Sequence, residues 1–237
     1  TEESLGNQMQ TLPITPIRGN ILDRNGKVLA SNEFSYRLTI TPEKINDLNG
    51  TFLELQTENL INEDDIAKFN KNLNRYKKFH NIPIKHNLSE SDAASFLVKN
   101  QLSGVEVEPY FHRVYPNGIS SAHLIGYVSS MSKEDKSYYD KKNYTGTSFV
   151  GKTGIEKQYE DLLHGQSGEK QIERNVAGRV VDSTIIKASI PGKDIYLNVD
   201  IDLQMTAESL LGDNRGAIVL INVNDGSILS LVSTPTF

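Results

Sequence analysis

The chain has no cysteine and no tryptophan among its 237 residues. Without cysteine there is no disulfide framework, no thiolate zinc site, no iron–sulfur cluster and no thiol nucleophile. Such a chain fits an oxidising or a reducing compartment equally, so composition leaves that question open. A strong charge of either sign is also missing: 25 Lys and Arg stand against 30 Asp and Glu, a net charge of −5. A nucleic-acid footprint needs clustered basic residues to neutralise phosphates, and this balance argues against one. Long apolar runs are lacking too. Those such as Ala217 to Ile221 fall far short of the ~20 residues needed to span a bilayer. Thr1 opens the sequence with no initiator methionine or signal peptide, so the chain reads as trimmed, with room for a targeting segment upstream.

What is there divides into stretches of different character. Thr1 to Gln10 is polar and unpatterned, like a linker. Asn25-Gly26 between apolar runs predicts a hairpin turn inside Asn20 to Ala30, because both residue types tolerate positive φ. Tyr36 to Ile40 reads as a further strand stopped by Pro42. From Glu43 to Tyr110 the pattern turns helical. Asn62 caps a helix striped by Ile66, Phe69 and Leu73, and Glu63-Asp64-Asp65 suits its first turn. Ser89 and Asp92 form a capping box ahead of Ala93, Phe96 and Leu97, and Val105 to Glu108 alternates as a strand. Thr153 to Leu163 reads as one helix, boxed by Thr153 and Glu156, with Ile155, Tyr159 and Leu162 inward. Strands follow around Ile172 and Val180, separated near Gly178, and then Asp194 to Val199. Asp200 caps a helix with Leu203, Ala207 and Leu210 on its apolar face. An apolar hairpin turning at Asp225-Gly226 closes the chain and would leave an exposed sheet edge, as if a domain were cut.

Three motif matches invite a chemical reading. Gly146 to Thr153 spells the phosphate-loop pattern G-x-x-x-x-G-K-T, but the strand it requires is replaced by the Lys-, Asp- and Tyr-rich stretch Lys136 to Tyr144. Lys152-Thr153-Gly154 spells K-T-G, and Ser130 to Lys133 and Ser167 to Lys170 both spell S-x-x-K. The spacing is wrong for a serine acyl-transfer site, and no S-x-N intervenes. Ordinary caps and polar surface are the preferred reading. The histidines at 80, 86, 112, 123 and 164 show no metal-ligand spacing, and His123 in its apolar setting reads as structural. No metal, cofactor or catalytic residue is expected.

Taken in order, the segments resemble the extracytoplasmic part of a class B penicillin-binding protein, on the side of the elongation-specific penicillin-binding protein 2. The resemblance rests on Arg18-Gly19-Asn20-Ile21-Leu22-Asp23-Arg24-Asn25-Gly26, Arg113-Val114-Tyr115-Pro116, His123-Leu124-Ile125-Gly126 and Gly154-Ile155-Glu156. Asn175 with Gly178-Arg179, Pro191 to Asp194, and Asp200 to Gln204 continue it. The resemblance implies an α+β fold: a mixed pedestal with a small α/β head insertion, then the first helix and hairpin of a truncated transpeptidase sheet. It divides the chain into a linker over 1–17 after a missing membrane anchor, a pedestal over 18–42 and 111–190, a head over 43–110, and the start of the transpeptidase domain over 191–237. The septal branch of the family is the alternative, with a phosphate-loop nucleotide domain a distant third.

The family's nucleophilic serine and its companion motifs would lie beyond Phe237. The implied role is therefore non-catalytic: to position a peptidoglycan D,D-transpeptidase of lateral wall elongation and rod shape at the periplasmic face of the inner membrane. The implied partners are the scaffold protein MreC at the head, the glycan polymerase RodA at the pedestal, and peptidoglycan through the catalytic domain. Phe52, Leu55, Ile66, Phe69, Leu73, Phe96 and Leu97 are the candidate apolar residues for the head contact.

Overall fold

The computed structural model describes residues 8–73, 78–79, 81–99, 102–174 and 180–235. Along the chain run β1 (Gln8–Ile14), β2 (Ile21–Leu22), β3 (Val28–Ile40), α1 (Leu48–Thr57), α2 (Glu63–Leu73), β4 (Ile82–Leu88), α3 (Glu90–Lys99) and β5 (Val105–Val114). Next come α4 (Ala122–Ile125), β6 (Val128–Ser130), α5 (Lys133–Tyr138), β7 (Phe149–Gly151), α6 (Gly154–Gln158) and α7 (Glu160–His164). The last are β8 (Gly168–Arg174), β9 (Val180–Lys187), β10 (Ile195–Tyr196), α8 (Ile201–Leu211), β11 (Gly216–Ile221) and β12 (Ile228–Thr234). Helices interspersed among mainly antiparallel strands make the α+β class expected from the sequence. The chain forms two compact units: Glu33–His112, and Thr1–Asn32 with Arg113–Phe237.

In the Glu33–His112 unit, β3 pairs with β4 and with β5, and the helices bring their apolar stripes to this sheet. Leu38 and Ile40 of β3, Ile82 and Ile84 of β4, Phe52 and Leu55 of α1, Phe69 of α2 and Phe96 of α3 share one core. The Phe52 and Phe69 rings meet edge to face at 5.6 Å. Asn62 and Asp65 exchange side-chain and backbone bonds at 2.9 and 3.0 Å, the reciprocal cap that starts α2. Two sequence expectations change here. Tyr36 to Ile40 is the end of one long strand rather than a strand of its own. Ile82–Leu88, inside the stretch read as helical, is a strand; Pro83 is tolerated because β4 lies at the sheet edge.

In the other unit, β2 turns through Gly26, at φ +82°, into the start of β3, with Ile21 opposite Ala30. Strand β10 adds parallel to β2, and only Ile195–Tyr196 of the longer expected strand takes part. Ile21, Leu29, Ala30, Ile125, Leu163 and Ile201 form its main apolar cluster. A second sheet has the order β1-β8-β9, and β11 with β12 forms the closing hairpin.

Two helix faces differ from expectation. The helix predicted over Thr153 to Leu163 is two short ones, α6 and α7, broken at Tyr159, and Thr153 makes no side-chain cap bond. Its buried face carries Glu156, Glu160, Leu163 and His164, while Tyr159 and Leu162 are exposed. Helix α8 is capped by Asp200 as expected, but buries Ile201, Gln204, Ala207 and Leu211 and leaves Leu203 and Leu210 outside. Gln204 sets that rotation: its amide bonds Ser120 O, Leu231 O and Leu231 N–H and accepts from the Ser230 hydroxyl.

Candidate functional site

Motif residues that are far apart in sequence converge on one buried cluster of charge in the second-described unit. Glu156, with no exposed surface, stands between two guanidinium groups. Arg18 Nε donates to its Oε2 at 2.7 Å, and Arg113 Nε donates to its Oε1 at 2.7 Å. Arg18 Nη2 reaches Glu160 Oε2 at 2.7 Å and the Glu156 carbonyl at 3.0 Å. Arg113 Nη1 reaches the Gly19 carbonyl at 2.8 Å and Asn32 Oδ1 at 3.3 Å, and Asn32 Nδ2 donates back to the Arg18 carbonyl at 2.6 Å. Tyr115 donates its hydroxyl to Glu156 at 3.3 Å and accepts Val128 N–H at 3.0 Å. Two cations thus face two carboxylates. Burial alone pulls Arg18 down, but the carboxylates of Glu160 and Glu156 prevail and raise its pKa. Burial beside Glu156 pushes Tyr115 up, so it stays a neutral donor.

The cluster runs on into an aromatic column. Glu160 accepts Gly151 N–H at 2.9 Å and the Tyr144 hydroxyl at 3.4 Å. The Tyr144 ring stacks on His164 at 4.0 Å and on Tyr139 at 4.6 Å. His164 Nε2 pairs with the Thr147 hydroxyl at 2.8 Å, and burial holds the imidazole below its ordinary pKa. Burial next to Glu160 pushes Tyr139 up to about 12.

The remaining motif residues fix backbone. Asp23 is buried and accepts Asn25 N–H and Lys27 N–H at 2.8 Å and Ile201 N–H at 3.2 Å, tying the Gly26 turn to the start of α8. Arg24 N–H bonds the Val199 carbonyl at 3.0 Å, and Asn25 Nδ2 bonds Asp200 Oδ2 at 3.1 Å. A Cβ on Gly19 would lie 2.0 Å from the Lys193 carbonyl oxygen. Gly126 (φ +75°) and Gly154 (φ +58°) let α4 and α6 approach: a Cβ on either would meet carbonyl oxygen of the other segment at 2.1 or 2.5 Å. His123 Nδ1 pairs with Ser233 Oγ at 2.6 Å, in keeping with a structural histidine. Pro116 sits in the turn after β5, while Gly178 and Arg179 lie outside the described residues.

The catalytic look-alikes are occupied in structure. Gly151 N–H, which a phosphate loop would offer to its ligand, is held by Glu160, and the helix after it has five residues. The Glu160 carboxylate thus stands where a phosphate loop's backbone amide would meet its ligand, which favours the reading of this match as ordinary fold-forming backbone. Lys152 pairs with Asp135, and Ser132 caps α5. Ser167 gives its hydroxyl to the Asn143 carbonyl and its N–H to Asn143 Oδ1. Among the described residues no cluster of His, Asp and Glu has metal-site geometry, and no helix is long and apolar enough to cross a membrane.

The apolar residues expected to meet a partner fare unevenly. Phe52, Leu55, Phe69 and Phe96 are buried in their own unit, and Ile66 and Leu73 pack against that core. Leu97 alone of the seven is open, at 65% exposure. Leu53 and Val98 are also exposed, as are Phe34 and Phe111, whose rings meet at 5.6 Å. Sequence reasoning missed Asn32 and Tyr144, and quoted Glu160 and His164 only as part of the family stretch, without a role. A readable signal existed for Glu160, which stands one helical turn after Glu156.

Comparison with known proteins places this architecture. Residues 13–197 match the family model described as the penicillin-binding protein dimerisation domain. The chain is 40% identical over 98% of its length to peptidoglycan D,D-transpeptidase MrdA of Escherichia coli K12, and 38% identical over 99% to that of Haemophilus influenzae. It spans about 37% of the length of each of these relatives. In structure it is similar to the penicillin-binding protein 2 solved in complex with MreC from Helicobacter pylori, with TM-score 0.71 and 26% identity over 98% of this chain and 44% of that one. The Pseudomonas aeruginosa penicillin-binding protein 2 solved with WCK 5153 follows at TM-score 0.56 and 28% identity, covering 96% of this chain and 31% of that one. A core in which the arginines, tyrosine and glutamate of the recognised motifs hold one another, carried on this fold, belongs to the penicillin-binding protein dimerisation-domain family, in its penicillin-binding protein 2 line.

Proposed function

We propose that the chain is the non-catalytic pedestal and head of a peptidoglycan D,D-transpeptidase of lateral wall elongation, acting at the periplasmic face of the inner membrane. The Glu33–His112 unit serves as the head, and the Arg18 to Asn32 and Arg113 to Ile190 segments serve as the pedestal. Pro191 onward leads into the transpeptidase domain. The observation that carries this reading is likeness along nearly the whole chain to transpeptidases named MrdA, at 36–40% identity. The partners proposed are MreC at the head, RodA at the pedestal, and peptidoglycan as substrate of the whole enzyme. For MreC the support is the solved complex of a penicillin-binding protein 2 that this fold resembles.

Burial narrows the head contact. Phe52, Leu55, Phe69 and Phe96 cannot reach a partner without opening their own core. Leu97 and the exposed Phe34–Phe111 pair are the better candidates. The test is calorimetry of the chain with the soluble domain of MreC. Saturable binding that weakens at least tenfold in Leu97→Asp or Phe111→Asp, both folded by circular dichroism, is expected. No binding by the parent chain would remove MreC from the proposal. Binding indifferent to both changes would move the contact elsewhere.

A further inference from the structure

At one end of the β1-β8-β9 sheet, residues of β1, of the segment between α5 and β7, and of the start of β8 surround an open cavity of about 570 Å³. That volume suits a small ligand. Its floor is already satisfied and fixed. Asn143 donates its amide to the Gly165 carbonyl at 3.0 Å and accepts Ser167 N–H at 2.8 Å, and its own carbonyl takes the Ser167 hydroxyl. Gly168 lets β8 and β9 close up there, because a Cβ on it would lie 2.4 Å from the Lys187 carbonyl oxygen. The Pro13 ring supplies an apolar wall.

The rest of the lining carries charge of both signs, Lys142 and Lys187 against Asp140 and Glu169. Asp140 uses one oxygen on Lys142 N–H, at 3.1 Å. Among the described residues, the charged groups of Lys142, Lys187 and Glu169 have no hydrogen bond or ion pair. Glu169 and Lys187 are directly opposed in the β8–β9 register. Opposite charges so placed usually pair, yet these two do not, and both line the cavity. A simple anion would satisfy the lysines and meet two carboxylates, and a simple cation would do the reverse. A neutral ligand would use neither sign. A ligand with an ammonium and a carboxylate on one carbon matches both signs in one small volume and, like the lining, carries no net charge.

We propose that this cavity binds a free α-amino acid, its carboxylate toward Lys142 and Lys187, its ammonium toward Glu169, and its side chain against Pro13. A peptide of ordinary length does not fit the same groups, since its two charged ends are a chain length apart. The proposal goes beyond the pedestal and head reading and does not rest on it. All the groups are open to water, so each contact is screened and the affinity is modest.

Titration of the isotope-labelled chain with norleucine, followed by backbone amide shifts in NMR, tests this. Saturable shifts at Lys142, Ser167 and Gly168 are expected in the millimolar range. N-acetylnorleucine, which lacks the ammonium, and norleucinamide, which lacks the carboxylate, should each bind about tenfold more weakly. Triglycine should bind no better than either. Glu169→Gln should weaken norleucine at least about threefold and leave N-acetylnorleucine unchanged, because that probe has no ammonium to lose. Lys142→Ala combined with Lys187→Ala should weaken norleucine at least as much, by about threefold or more, and leave norleucinamide unchanged. This crossed selectivity separates lost ligand contacts from a disturbed fold, which circular dichroism checks independently. No saturable shift into the tens of millimolar overturns the proposal. Shifts that map away from the cavity, or variants that weaken all three norleucine probes alike, overturn it as well.

Discussion

Glu156 accepts from both arginines and from Tyr115, and it has no access to water. Removing Glu156 takes from Arg113 its carboxylate partner in a dry site and leaves Arg18 with Glu160. Glu156→Ala is therefore expected to cost about 3–5 kcal/mol in urea unfolding. Lys27→Ala, which breaks the solvent-exposed pair with Asp202, should leave stability unchanged. The histidines give a second residue-level test. Burial lowers both His164 and His86 in the folded state, so between the folded value and the ordinary value near 6.5 the unfolded chain binds more protons. Stability is complete above about pH 6.5 and falls as pH drops through that window, by at most about 1.4 kcal/mol per pH unit for each histidine. Asp135 is lowered by its bond with Lys152, so it acts only at still lower pH, below its ordinary 3.8. His164→Phe, which keeps a ring on Tyr144, should flatten the slope between pH 7 and 5; an unchanged slope would show that His164 is not the titrating group. At this scale the sequence marked individual motif residues and was silent about their contacts. Arg18, Arg113 and Glu156 stood out as motif residues, yet nothing in their local sequence says that they meet across more than a hundred residues of chain.

Elements with their own start and stop signals were legible in the sequence. Asn62 and Ser89 were read as helix caps and make those bonds, and the Gly26 and Gly226 turns sit at positive φ. Asn62→Ala should cost about 1 kcal/mol in thermal or urea unfolding, the usual price of a lost side-chain cap. Elements shaped by their neighbours were harder to read. Strand β4 alternates over only a few residues around Pro83, which looks like a break until β3 is beside it. The helix predicted over Thr153 to Leu163 was oriented by its apolar residues, but Arg18 and Arg113 draw Glu156 and Glu160 inward instead. That rotation depends on the close approach of α4 and α6. Gly126→Ala would push a Cβ against the Thr153 carbonyl at a positive φ, and it should cost at least about 2 kcal/mol, read from the same unfolding curves.

The whole molecule uses two different means of cohesion. The Glu33–His112 unit is held by a broad apolar core, whereas the other unit pairs a smaller apolar cluster with buried charge and a stack of rings. The family motifs fall in the second of these, and their chemistry is absorbed in holding the fold. It follows that a fluorescent penicillin should not label this chain covalently at Ser130, Ser132 or Ser167, as judged by gel fluorescence against a labelled transpeptidase. The central claim is that the arginines and glutamate of the motifs act as one buried unit, and a double-mutant cycle tests it most directly. Arg113→Met, Glu156→Leu and the pair together are compared by urea unfolding. Glu156→Leu strands the buried Arg113 charge and Arg113→Met leaves Glu156 with Arg18 alone, while the double change removes both partners of the pair, so the double variant should be less destabilised than the sum of the singles by about 2 kcal/mol or more. Single costs that simply add, to within about 0.5 kcal/mol, would contradict the account.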